Sequence, residues 1–175
     1  MKARRTFRGF SLVEVVIAVG VFAVGVGAIL LLVPSLAKHG AESADFVTAQ
    51  QLPDALRVEL RRVAETQGFD QLASSLPLLE SPLANGREFV AARDGVRLHA
   101  VDSPPNAGAL SPAEQYFLIE CWSFATEPLA PSATKAFLAT YVRVSWPYRV
   151  GSGGAVVTTS PESRNQFTFA CGINR

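Results

Sequence analysis

Among the side chains of this 175-residue chain that can do chemistry, one stands apart from its surroundings. Glu14 sits in the stretch Arg8-Gly9-Phe10-Ser11-Leu12-Val13-Glu14, near the start of the otherwise apolar residues 10–33. A carboxylate in hydrocarbon costs roughly 2.5–3.5 kcal/mol on insertion scales. A plain membrane anchor has no use for that cost. The other candidate groups are sparser. His39 and His99 have no Cys, Asp or Glu at metal-ligand spacing, and His99 reads as a surface side chain. The run 151–154 contains a serine between glycines but lacks the lysine and following helix of a phosphate loop, so it reads as a flexible turn. G-x-S-x-G and H-E-x-x-H are absent. Asp94 and Asp102 are isolated, which does not support a calcium loop. Cys121 and Cys171 are too few for a disulfide framework but leave room for one bridge in an oxidising compartment. Nothing here predicts an enzyme, a metal or a cofactor.

The element that carries Glu14 is predicted first. Residues 10–33 are long enough to span a bilayer as a helix, for which about 20 apolar residues suffice. Lys2, Arg4, Arg5 and Arg8 precede the run. A basic flank of this kind stays cytoplasmic and sends the rest of the chain outward. A cleaved secretory signal has a shorter core and a small-residue site after it, and Ser35-Leu36-Ala37 matches that poorly. Removing residues 1–9 takes away four of the sixteen basic residues and leaves twelve against fifteen acidic, a net of −3. The slightly acidic remainder argues against a nucleic-acid-binding surface. Arg57, Arg61 and Arg62 read as a solvated face balanced by Glu59 and Glu65.

The N-terminal stretch resembles the class III signal of the type IV pilin superfamily: a short basic leader ending in glycine, then Phe-Ser-Leu-Val-Glu, then an apolar helix. The resemblance covers about 30 residues. It implies cleavage after Gly9 by a membrane-embedded prepilin peptidase and N-methylation of the new terminus, Phe10. It also implies that Glu14 pairs with the terminal amine of a neighbouring subunit, so that in the uncut chain Glu14 is unpaired. Its further implications are a minor pilin or pseudopilin, made in the inner membrane with a cytoplasmic N-terminus and a periplasmic body. The partners implied are other pilin subunits and an inner-membrane assembly platform, and the product a pilus or a type II secretion pseudopilus. In this light Gly20, Gly25 and Gly27 serve either close helix packing or local stretching of the helix in a filament. Cys121 and Cys171 are either a staple on the last strand, as in several pilins, or two buried thiols. The rival reading is a periplasmic binding module or enzyme held by a signal anchor.

The fold class expected is α+β: a long N-terminal helix, its first half transmembrane, packed on an antiparallel sheet of four to five strands. The segments are a leader at 1–9, a transmembrane helix at 10–33, an amphipathic continuation at 34–66 and a globular β domain at 67–175. Pro34 should kink or locally break the helix and Pro53 should bend it. Phe46, Ala49, Leu52, Leu56, Leu60 and Val63 recur at three- and four-residue steps and predict one buried stripe. Residues 68–82 read as a loop. Residues 87–101 read as a hairpin about Asp94-Gly95 with a type I′ turn, pairing Ala91 with Leu98 and Phe89 with Ala100. Residues 115–124, apolar on both faces apart from Glu120, predict a central strand. Residues 137–146 alternate and predict another strand; 156–159 read as a short edge strand and 166–171 as the last strand.

Overall fold

The computed structural model describes residues 11–79, 85–101, 109–132 and 136–175. The chain divides into two compact units, Met1–Ala44 and Asp45–Arg175. Helix α1, Leu12–Gln67, contributes to both. In the first unit every described residue, 11–44, is exposed, and the helix contains a stretch long and apolar enough to cross a membrane. The helix runs on through both Pro34 and Pro53, so of the kink or local break expected at Pro34 the break is not found. A proline removes one N–H from the ladder, and the hydrogen-bonded turns on either side hold it.

In the second unit α1 buries Ala49, Leu52, Leu56, Leu60 and Val63, the predicted stripe. Phe46 lies at its margin, 44% exposed, with its ring against Trp146 and Phe167. Asp45 and Glu59 are also buried, although the apolar periodicity does not include them. The stripe packs with one face of a five-stranded antiparallel sheet whose order is β2-β1-β3-β4-β7. The strands are β1 Arg87–Ala91, β2 Leu98–Ala100, β3 Phe117–Ser123, β4 Phe137–Trp146 and β7 Asn165–Asn174. The fold is the expected α+β, pilin-like arrangement of one long N-terminal helix and an antiparallel sheet.

Strand β3 is buried along its whole length and lies in the middle, as its two apolar faces require. Phe117, Ile119 and Cys121 face the main core with Phe89, Ala91, Val142 and Val144. On its other face Leu118 meets Val90, Ala92 and Leu110 in a smaller cluster flanked by Tyr148. Glu120 is accommodated by its cross-strand neighbour Arg143, whose Nε and Nη2 donate to its carboxylate at 3.0 and 2.8 Å. Pairing of this kind lets a carboxylate stay buried.

The hairpin register is as predicted, Ala91 with Leu98 and Phe89 with Ala100. The turn type is not. The Ala92 N–H donates to the Arg97 carbonyl, so the loop has four residues, 93–96. Only Gly95 has positive φ, at 72°, whereas a type I′ turn needs two such residues. Three other segments depart from expectation. Residues Phe69–Ser75 form a short helix, α2, that buries Leu72; at seven residues, with no capping side chain, it is too short to display a period. Residues Arg149–Ser152 (β5) and Ala155–Thr158 (β6) form a separate two-stranded ribbon, so 156–159 is not an edge of the main sheet. Its turn is Gly153-Gly154, with φ of 58° and 85°. His99 is half-buried rather than on the surface, and among the described residues its Nδ1 is enclosed without a partner.

Candidate functional site

The site begins at the first described residue. Ser11 precedes the first turn of α1 and its carbonyl accepts from Val15 N–H at 3.3 Å. Its Oγ accepts from Glu14 N–H at 3.2 Å, and the Glu14 carboxylate accepts from Ser11 N–H at 3.0 Å and from Ser11 Oγ at 3.1 Å. This reciprocal arrangement is a capping box: Ser at the cap and Glu three residues on satisfy donors that the helix itself leaves open. It corrects the expectation that Glu14 is unpaired in the uncut chain. Among the described residues, the carboxylate takes the donors at the head of its own helix. The S-x-x-E spacing was available in the sequence as its signal. Gly9 and Phe10 lie outside the described residues.

Beyond Glu14 the helix offers a wholly apolar exposed surface. Val15, Val16, Ile17, Val19, Phe22, Ile29 and Leu30 are among its exposed side chains. Further along, Lys38 and His39 approach Glu42 at 3.8 and 3.5 Å. A surface of this composition is unsuited to water and suited to lipid or to other apolar helices.

The second unit starts at a polar cluster that pattern reading missed. Asp45, 7% exposed, accepts from Arg93 Nε and Nη2 at 2.8 and 3.0 Å and from the Tyr116 hydroxyl at 2.6 Å. Arg93 also lies over the Tyr116 ring, with Cζ 4.8 Å from its centroid. Three elements meet here: α1, the hairpin turn and the lead into β3. Burial, and then the bond to Asp45, push the Tyr116 hydroxyl up to about 12. The available signal was an acidic residue in step with Ala49, Leu52 and Leu56. Nearby, Glu114 repeats the Ser-x-x-Glu device: its carboxylate accepts from Ser111 N–H at 3.0 Å, from Ser111 Oγ at 2.8 Å and from Arg97 at 2.6 Å. The bonds from Arg97 and then Ser111 hold Glu114 down to about 2.

Cys121 and Cys171 are free thiols, both buried, so of the two readings left open the bridge is not the one found. Cys121 pairs with Val142 and Cys171 with Thr140, so strand β4 runs between them. Strands are spaced about 4.8 Å apart. Two strand spacings exceed the Cα separation that a disulfide spans. Burial, chiefly, raises the Cys121 thiol far above its ordinary range. Of the three arginines on α1, Arg57 reaches Asp54 at 3.3 Å and Arg62 binds Glu59 with two bonds of 2.7 Å. Among the described residues no three His, Cys, Asp or Glu side chains gather as a metal site.

Residues 4–30 match the family described as the prokaryotic N-terminal methylation motif. That segment is the class III signal of type IV pilin-like proteins. The match includes Gly9, Phe10, Ser11 and Glu14 and all but the last three residues of the apolar run. No curated protein and no solved structure matches the chain. With the pilin-like signal and the apolar helix, the chain is a membrane-anchored protein of the prepilin-processed kind, and the motif points to a structural subunit.

Proposed function

We propose that the chain is a minor pilin or minor pseudopilin, cut after Gly9 by a prepilin peptidase and methylated on Phe10. It then joins a filament, either a pilus or a type II secretion pseudopilus, through its apolar helix. The observation that carries this reading is the methylation motif at residues 4–30 with Glu14 capped in the first turn of an exposed apolar helix. In this reading residues 1–9 are the leader, 10–33 the transmembrane helix, 34–66 its amphipathic continuation and 67–175 the globular domain. The precursor lies in the inner membrane with its N-terminus cytoplasmic and its body periplasmic, next to an assembly platform.

A free amine and a carboxylate are each costly in hydrocarbon, and bringing them together removes much of that cost. Cleavage creates an amine at Phe10, and the capping box presents the Glu14 carboxylate in a fixed direction. The Phe10 amine of one subunit is proposed to meet Glu14 of the next.

Co-expression with an active prepilin peptidase tests the reading. The expected result is loss of the nine leader residues, roughly 1 kDa of the 18.7 kDa chain, and a mature N-terminus at Phe10. Gly9→Val should block the cut. A precursor that stays full length beside an active peptidase refutes the proposal and leaves a tethered module. Glu14→Ala should be processed normally yet recovered with partner pilins in clearly lower amount; unchanged recovery refutes the pairing role.

A further inference from the structure

Strand β7 is an edge without the usual defences. Among the described residues it pairs on one side only, with β4, over ten consecutive positions and without a bulge. From Asn165 to Asn174 it has no Asp, Glu, Lys, Arg or Pro. Native edges are blunted by shortness, charge, proline or bulges because an open row of N–H and C=O groups templates another strand. The opposite edge, β2, follows that rule with three residues. Beside the open edge, Phe167 and Phe169 are only half-buried, with their ring centroids 5.7 Å apart.

The same chain has a strand pair suited to such an edge. The β5–β6 ribbon stands outside the sheet, and residues 150–158 are all exposed. It too is uncharged from Val150 to Ser160. Val150 and Val157 lie opposite each other and so share a face, 40% and 48% exposed. An isolated two-stranded ribbon is marginal in water. Addition to a third strand would satisfy one of its open edges and cover its valines.

We propose that the open edge of β7 docks the β5–β6 ribbon of a second copy of this chain. Strand β6 adds to β7, with Val157 on the side of Phe167 and Phe169 and Val156 on the side of Thr168. No repulsion opposes the pairing: neither strand carries a charge that would lie opposite a like charge. Donor and acceptor are different surfaces, so the contact is heterologous, and one that does not close on itself propagates as a filament. The inference deepens the subunit reading, on which its repetition along a filament rests.

The test is made on the full chain in membranes that contain an active prepilin peptidase. Val156→Cys and Thr168→Cys are combined and treated with a short bis-maleimide; the native Cys121 and Cys171 are 0% and 4% exposed and stay unreactive. The expected result is a ladder of dimers, trimers and longer species from the double variant and none from either single variant. Adding Val157→Lys, at an exposed position, should abolish the ladder. Monomers only, a ladder that survives Val157→Lys, or dimers from Thr168→Cys alone would each overturn the proposal, the last by showing that β7 edges pair with one another. Band position on the same gel reports the cut after Gly9. A processed chain without a ladder therefore fails the docking alone, and a ladder of uncut chains fails the processing alone.

Discussion

Two residues of the same type, Glu14 and Glu114, show how position decides what a carboxylate does. Each lies three residues after a serine and accepts from that serine's N–H and hydroxyl. The first heads a 56-residue helix, and the second steadies one turn of a loop, where Arg97 also binds it. Asp45 shows the third use of a carboxylate, as the hub of a cluster with Arg93 and Tyr116. That cluster yields a residue-scale prediction. Tyr116 is pushed from 10 up to about 12, first by burial and second by its bond to Asp45. A group whose folded value is raised contributes stability that is fully present below its unfolded value and lost as pH climbs through the folded one. The contribution of Tyr116 should therefore be complete below about pH 10 and fade as pH rises towards about 12. Ultraviolet difference titration should show a tyrosine ionising near pH 12 in the wild type, and that component should vanish in Tyr116→Phe. Loss of the hydroxyl should cost about 1.5–3 kcal/mol, as for a hydrogen bond to a charged group, read from urea melts at neutral pH. A Tyr116→Phe variant that keeps the high-pH component would refute the assignment.

At the scale of elements, alternation made the strands legible and left their ends and their neighbours unstated. The residues of β1, β3 and β4 alternate or run apolar on both faces, and their order of burial follows. Leu98 and Ala100 oppose Ala91 and Phe89, so the hairpin register was readable even though its turn was not. A turn type depends on single φ values, and Asp94-Gly95 is compatible with more than one. The seven residues of α2 and the detachment of β5–β6 depend on tertiary packing that no local period records. Gly95 makes the turn testable. Its φ is +72°, and a Cβ built there would lie 2.9 Å from Thr48 Cγ2 on α1. Gly95→Ala should destabilise the protein by about 1–2 kcal/mol, the cost of a left-handed conformation for a residue with a Cβ. Gly172→Ala, whose Cβ would meet only the Leu138 carbonyl oxygen at 3.9 Å, should stay within about 0.5 kcal/mol of wild type. Equal effects from the two substitutions, measured by urea denaturation, would refute the left-handed conformation assigned to Gly95.

At the scale of the whole molecule, two kinds of information are written into different halves of the chain. The first unit, Met1–Ala44, contains the matched methylation motif and a helix whose described residues are all exposed. Its chemistry is that of a short motif, four basic residues, a glycine and a carboxylate, which is why it was legible residue by residue. The second unit, Asp45–Arg175, was legible only as a class, α+β, because a core specifies volume and alternation and leaves side-chain identity loose. Its main core begins at Ala49 and ends at Ile173, so every member lies within that unit. The polar contacts of Asp45 with Arg93 and Tyr116 also lie inside it. Nothing in residues 11–44 is buried. A fragment of residues 45–175 should be water-soluble, with eleven basic and thirteen acidic side chains. It should unfold in one cooperative transition, as small single domains do. Its melting temperature should fall within a few degrees of the same transition in the full chain held in detergent micelles, since a change of 1 kcal/mol moves a domain of this size by about 2–8 °C. Adding Asp45→Ala to the fragment should lower that temperature, because Arg93 and the Tyr116 hydroxyl lose their common acceptor. A fragment that melts without cooperativity while the full chain melts sharply would show that the apolar half supports the fold.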